Sequence, residues 1–105
     1  MKKQVTRNER PKAGVLHRTE LACGAYAVVV STIKSRDARN GAGYETMAFP
    51  ATVSTGGAVT ITSHHAIDER MAGSAETARD VHEEMIGEIT ALLAAGETFK
   101  REVAE

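Results

Sequence analysis

Residues 74–95 constrain the fold of this chain more than any other stretch. Their apolar side chains recur three or four positions apart, on one stripe of an α-helix: Ala78, Val81, Met85, Ile89, Leu92 and Leu93. The opposite side of the predicted helix is acidic: Glu76, Asp80, Glu83, Glu84 and Glu88. Ser74 is a suitable N-cap and Gly96 a suitable C-cap. Because such a helix is stabilised mainly by burying its stripe, the rest of the chain must supply an apolar surface.

Three segments before the helix have the composition of β-strands. The first, at 25–33, is rich in β-branched residues, and the second lies at 44–49. The third, at 58–66, follows a Thr-Gly-Gly turn signal, so we expect it to form a hairpin with the second. A short additional strand at 15–19 or 20–22 is an alternative that the pattern leaves open. Pro50 lacks a backbone donor and is expected to end the second strand or to mark it as an edge.

The sequence therefore predicts an α+β fold, an antiparallel meander of three to four strands with one long C-terminal helix packed on one face. A chain of 105 residues is long enough for one domain, which we place at 15–105. Aromatic residues make up only 4% of the chain, so the core should be aliphatic.

Residues 1–14 are predicted to form a flexible basic arm, because Val5 is their only branched apolar residue. The polar loop at 34–43 adds further cations. Together these give the candidate partner-binding residues: Lys2, Lys3, Arg7, Arg10, Lys12, Lys34, Arg36 and Arg39. Three interpretations stay open for the arm: a solubilising tail, a contact with a neighbouring subunit, or phosphate contacts without sequence specificity.

The net charge of −1 conceals an uneven distribution. Residues 1–42 carry nine Lys or Arg and three Asp or Glu, whereas residues 43–105 carry four and eleven. This asymmetry is compatible with solvated faces of different sign, with head-to-tail association, or with an arm that binds an anionic partner.

No stretch has a catalytic or metal-binding signature. Cys23 lies in an apolar run and is predicted to be a small core residue. A His-Glu metalloprotease helix beginning at His82 would need a second histidine where Ile86 stands. His64 and His65 are adjacent on a predicted strand and would point to opposite faces. We therefore expect no catalytic residue, no metal and no cofactor. No apolar run of about 18 residues occurs, so we expect no membrane span.

Two short motifs carry a resemblance. The sequence Tyr-Glu-Thr-Met-Ala-Phe-Pro at 44–50 and the sequence Ala-Arg-Asp-Val-His-Glu-Glu-Met at 78–85 resemble a group of small proteins encoded by tailed bacteriophages, notably of actinobacterial hosts. That group has a Tyr-Glu-Thr-Met-x-Phe strand, a short hairpin and a helix with Ala-x-x-x-His-Glu-x-Met. The match covers about residues 44–88. It departs at Ala48, where the group often has a larger aliphatic residue, and in a hairpin that is Thr/Gly-rich instead of acidic.

The resemblance implies a phage or prophage origin and does not imply a reaction. It also points to Glu45, His65 and His82 as residues of interest. If the helix packs on the face of the sheet that carries Met47, then Glu45 shares that face and His82 can reach it. Glu45 and His82 are therefore a candidate structural polar pair.

These observations favour a small phage-type accessory protein that acts non-enzymatically by binding a host or phage protein. Two alternatives are a virion-associated structural protein whose arm contacts a neighbouring subunit, and a non-specific nucleic-acid binder that uses the arm and the 34–43 loop. A metal-dependent hydrolase is the weakest alternative. Exposed strand edges could also support a homo-oligomer, such as a homodimer. The expected location is the cytoplasm of the host cell, with the virion as the alternative.

Overall fold

The computed structural model describes residues 3–35 and 43–98. They form six β-strands followed by one helix: β1 (Thr6–Glu9), β2 (His17–Cys23), β3 (Tyr26–Lys34), β4 (Tyr44–Val53), β5 (Val59–Ile61), β6 (Asp68–Ala72) and α1 (Ala75–Ala94). The α+β fold class is confirmed, with a long C-terminal helix on an antiparallel sheet. The described residues form six strands where three to four were predicted. In this part of the chain, no helix is long and apolar enough to cross a membrane.

The sheet is organised around β4. Strands β1 to β4 follow one another in antiparallel order, and the outer edge of β4 is shared by β6 and β5. Pro50 lies between these two pairings. The Pro50 carbonyl accepts a hydrogen bond from the Thr62 N–H at 2.9 Å, on this shared edge. Because the N–H that proline lacks would also point to this edge, Pro50 neither ends β4 nor breaks its pairing with β3.

Both ends of α1 are capped. The Ser74 hydroxyl accepts a hydrogen bond from the Thr77 N–H at 3.1 Å, as the sequence predicts for an N-cap. At the other end, Gly96 adopts a φ of 91°, and its N–H donates to the Leu93 carbonyl at 2.9 Å. The Lys3 N–H donates to the Ala94 carbonyl at 2.8 Å and so ties the N-terminal segment to the helix end.

The main core lies between α1 and the sheet face beneath it. It is aliphatic, as predicted, and consists of Leu21, Val28, Val30, Ala48, Met85, Ile86, Ile89 and Leu93. The predicted stripe is correct in its centre and wrong at its edge. Leu92 remains 42% exposed, whereas Ile86 and His82 are buried. The buried stripe of α1 is therefore rotated slightly from the predicted one, and it includes a histidine.

Two segments differ from the sequence-based prediction. The predicted flexible arm at 1–14 contains β1, which pairs with β2 from Thr6 opposite Ala22 to Glu9 opposite Thr19. The predicted third strand at 58–66 is shorter. β5 ends at Ile61, and β6 forms further along, in a segment for which the sequence predicts no strand. Both β1 and β6 are edge strands, and their charged sequences hide them from an apolar pattern.

Candidate functional site

The first candidate site is a buried polar network between α1 and the sheet. His82 points from α1 towards Thr19 on β2, Thr32 on β3 and Thr46 on β4. All four side chains are at most 2% exposed. Thr32 lies directly opposite Thr46 in the sheet, and all three threonines share the face that α1 covers. We call these residues, together with Glu9 on β1, the histidine network.

Only one assignment of donors and acceptors satisfies every hydrogen bond of the histidine network when the ring is neutral. The Thr19 hydroxyl donates to the Glu9 carboxylate at 2.9 Å, so its oxygen must accept from His82 Nε2–H, also at 2.9 Å. Nδ1 of the neutral ring then accepts from the Thr32 hydroxyl at 2.7 Å. Thr32 Oγ1 in turn accepts from the Thr46 hydroxyl at 2.6 Å. The Glu9 carboxylate therefore sets the tautomer of a ring on another element.

Charge and burial both favour this arrangement. The Arg7 guanidinium donates to Glu9 at 2.8 Å, and this bond lowers the pKa of the Glu9 carboxyl, which keeps it ionised as an acceptor. Burial, followed by the nearby His17, lowers the pKa of His82 to about 4. The His17 and His82 ring centroids are 5.4 Å apart. His82 is therefore neutral at pH 7, as the network requires.

Arg7 also ties β1 to the helix. Its guanidinium donates to both carboxylate oxygens of Glu83, at 2.9 and 2.7 Å, and this pair lowers the pKa of Glu83. Arg70 makes an equivalent connection from β6, with bonds to Asp68, Glu84 and Glu88. Two arginines on edge strands thus hold the acidic helix against the sheet.

The candidate partner-binding cations that lie in the described ranges do not form one surface. Arg7 is held by acidic residues, and Arg10 lies 3.4 Å from Glu20. Lys3, Lys12 and Lys34 are exposed. Lys3 lies at the C-terminal end of α1. Lys34 lies two strands away from Ala72, which is close to the N-terminal end of α1. A helix of 20 residues, such as α1, spans about 30 Å between these two ends. The other candidates lie outside the described residues: Lys2, Arg36 and Arg39.

The predicted pair of Glu45 and His82 is wrong. It assumed that α1 packs on the face that carries Met47, but α1 packs on the alternate face, with Thr46 and Ala48. Glu45 is in phase with Met47 and therefore lies on the opposite side of the sheet. The ring nitrogens of His82 bond to threonine hydroxyls instead. Threonines in phase with core residues on neighbouring strands were the sequence signal for these partners.

The remaining reactive side chains do not converge. His64 and His65 are exposed between β5 and β6. Cys23 is half-buried, with its sulfur 3.8 Å from the Leu93 carbonyl oxygen. Within residues 3–35 and 43–98, no group of three or more His, Cys, Asp or Glu side chains could hold a metal ion.

The second candidate site is the sheet face opposite α1. At one end of this face, Ala27, Val29 and Ala51 form a small second cluster under Val53, Val59 and Ile61. The other end carries four large apolar side chains that belong to neither hydrophobic cluster: Ile33, Met47, Phe49 and Met71. Three of them are half-buried and Met71 is 48% exposed. We call these four residues the apolar patch.

Two carboxylates interrupt the apolar patch. Glu45 lies between Ile33 on β3 and Met71 on β6, and Glu69 lies beside Met47.

In comparisons with known proteins, no family model, no curated protein and no solved structure matches this chain. The two candidate sites must therefore be interpreted from their own chemistry.

Proposed function

We propose that this protein acts non-enzymatically by binding another protein, as an accessory protein of the tailed-phage type. Its docking surface is the sheet face that α1 leaves uncovered. The observation that carries this proposal is the apolar patch of Ile33, Met47, Phe49 and Met71, which belongs to neither hydrophobic cluster of the described residues. Adjoining apolar side chains on an open face are typical of protein interaction sites.

The histidine network supports a structural interpretation of the only buried histidine in the described part of the chain. His82 and its threonine partners are sealed from solvent, and each ring nitrogen has a hydrogen-bond partner. A general base must reach the proton that it removes from a substrate. The network instead fixes how α1 sits on three strands, which leaves the opposite face as the surface for binding.

Binding to nucleic acid is less well supported than binding to protein. Phosphate contacts need cations that are free to approach the backbone. Arg7 is bonded to two carboxylates, and Arg10 is close to a third. Glu45 and Glu69, which lie next to the apolar patch, would also repel phosphates.

Affinity capture from an actinobacterial host lysate tests the proposal. The bait is the full chain, compared with a double variant of the apolar patch, Met47→Thr with Met71→Thr. The matched control places two polar residues at exposed apolar positions elsewhere, Leu16→Thr with Leu92→Gln; these side chains are 47% and 42% exposed. We expect one protein to be retained by the wild type and the control and lost by the patch variant. Equal retention by all three chains would contradict the proposal.

The proposed location is the cytoplasm of the host cell, with incorporation into virions as the alternative. Quantifying the protein in purified particles and in the lysate that they leave separates the two. An accessory protein stays in the lysate, whereas a virion component is enriched with the particles.

A further inference from the structure

The two acidic residues that interrupt the apolar patch, Glu45 and Glu69, lack the arginine partners of most other carboxylates in the sheet and helix. Arginines bind Glu9, Glu20 and Glu83, and Arg70 binds three more. The side chains of Glu45 and Glu69 have neither a hydrogen bond nor an ion pair to any residue in the described ranges. Each of them nevertheless lies beside a methionine of the patch, where an unpaired charge separates apolar side chains. A partner that covers these methionines must also satisfy the two carboxylates.

The register of β4 and β6 defines how the two carboxylates are placed. Glu45 lies directly opposite Met71 and Met47 directly opposite Glu69, so the carboxylates occupy diagonal positions of one antiparallel pair. Diagonal neighbours of this kind are about 7–8 Å apart. In an extended chain, side chains on the same side repeat every two residues, or about 7 Å. Two cations at alternate positions of an extended segment therefore match the spacing of Glu45 and Glu69.

We infer that the apolar patch binds an extended protein segment that presents two Lys or Arg side chains at alternate positions, with large apolar side chains before and after them on the same side. The cations pair with Glu45 and Glu69, and the apolar side chains pack against Met47, Met71 and their neighbours. This inference rests on the proposed function and specifies the chemistry of the partner.

Charge argues against a second copy of the chain as the occupant. A two-fold dimer centred on the patch would bring Glu45 and Glu69 against the same two carboxylates of the other copy. Like charges in a desolvated interface oppose association. A cationic segment removes this conflict, and the two carboxylates then select against acidic or neutral segments with the same apolar residues.

Titration with three synthetic peptides tests the inference. Each peptide has Leu at its two ends, Thr at the positions that point away, and a variable residue at the two central positions of the binding side. The variable residue is Lys, Gln or Glu. Binding to the full, isotopically labelled chain is followed by backbone amide chemical shifts, which detect weak complexes.

We expect the Lys peptide to shift the amides of β3, β4 and β6 around the patch. The Gln peptide should bind roughly threefold to tenfold more weakly, because ion pairs that stay partly exposed to water contribute only modestly to affinity. The preference for Lys should disappear in the Glu45→Gln with Glu69→Gln variant and in about 0.5 M salt. A control that removes two exposed charges from α1, Glu76→Gln with Asp80→Asn, should retain it.

Equal binding of the Lys and Gln peptides would overturn the inference and leave the proposed function intact, because the patch would then bind protein without selecting charge. Shifts confined to the helix or to β1 would also overturn it, as would the absence of binding by every peptide. The proposed function is decided separately by capture with the Met47→Thr and Met71→Thr variant. Self-association that is abolished by the same variant would identify a second copy as the occupant and contradict the inference.

Discussion

The two faces of the sheet are built from alternate residues of the same strands, yet among the described residues only one of them is covered by a helix. On the covered face, Thr32 and Thr46 place hydroxyls under α1, and His82 bonds to the first of them. On the other face, the described part of the chain places no helix above Ile33 and Met47. Polar groups are thus buried where they are fully bonded, and apolar groups lie on the open side. Under the proposed function, one face supplies stability and the other recognition.

The largest expected effect comes from removing the histidine that joins the covered face to α1. His82→Leu keeps the volume but leaves the Thr19 and Thr32 hydroxyls without their ring partners. We expect the free energy of unfolding to fall by about 3 kcal/mol, as for other buried polar groups that lose their partners. Urea denaturation at pH 7 measures this change. The matched variant His65→Leu, at an exposed position, should change it by less than about 0.5 kcal/mol.

Acid should weaken the covered face through the same residue. The pKa of His82 is about 4 in the folded protein, below the value of about 6.5 that an unfolded chain provides. Between these values the unfolded state binds the proton more readily, so the contribution of His82 is complete above pH 6.5 and is lost as the pH falls to about 4. The stability difference between the wild type and His82→Leu should therefore shrink by up to about 3 kcal/mol over this range. A constant difference across denaturation curves from pH 7 to pH 4 would contradict the assignment of a neutral buried ring.

A smaller loss is expected when one hydroxyl of the histidine network is removed. Thr32→Val keeps the shape of the side chain but takes away the donor to Nδ1 of His82 and the acceptor for Thr46. We expect a cost of about 2 kcal/mol in the free energy of unfolding. Thr60→Val on β5 is the control, because Thr60 is exposed and its change should be close to neutral. Equal effects of the two substitutions would mean that the buried hydroxyls contribute no specific stability.

The sequence predicts the covering helix, α1, better than it predicts which face of the sheet the helix covers. The spacing from Ala78 to Leu93 and the cap at Ser74 locate α1 closely. On β4, however, both alternating sets contain apolar residues. By size alone, Met47 and Phe49 are the better core candidates. The helix instead packs on Thr46 and Ala48, whose small side chains allow close approach and whose hydroxyl can be bonded.

The edge strands were missed for a different physical reason. β1 and β6 contribute charged residues such as Arg7 and Arg70, which bind the acidic side of α1. Strand propensity does not identify such segments, because their pairing depends on a neighbour that is distant in sequence. The sequence shows that residues 1–42 are basic and residues 43–105 acidic. It does not show that the two parts bind each other within one chain, as Arg7 and Glu83 do.

The smallest effect on stability is expected at the apolar patch. Met47→Thr with Met71→Thr should change the free energy of unfolding by less than about 0.5 kcal/mol per site, because neither side chain belongs to a hydrophobic cluster and threonine suits a strand. Thermal and urea denaturation measure this effect. A large loss of stability would show that these methionines complete a core, in which case capture experiments with this variant would not report on docking.

The central claim is that one face of the sheet is closed by α1 while the other is open in the free chain. The methionines report on both faces, since Met85 lies in the core whereas Met47 and Met71 lie on the apolar patch. Methyl relaxation by a soluble paramagnetic agent, measured on the free protein at low concentration, compares them directly. We predict strong relaxation of the Met71 methyl, clear relaxation of the Met47 methyl and almost none at Met85. Protection of Met47 and Met71 equal to that of Met85 would contradict the claim.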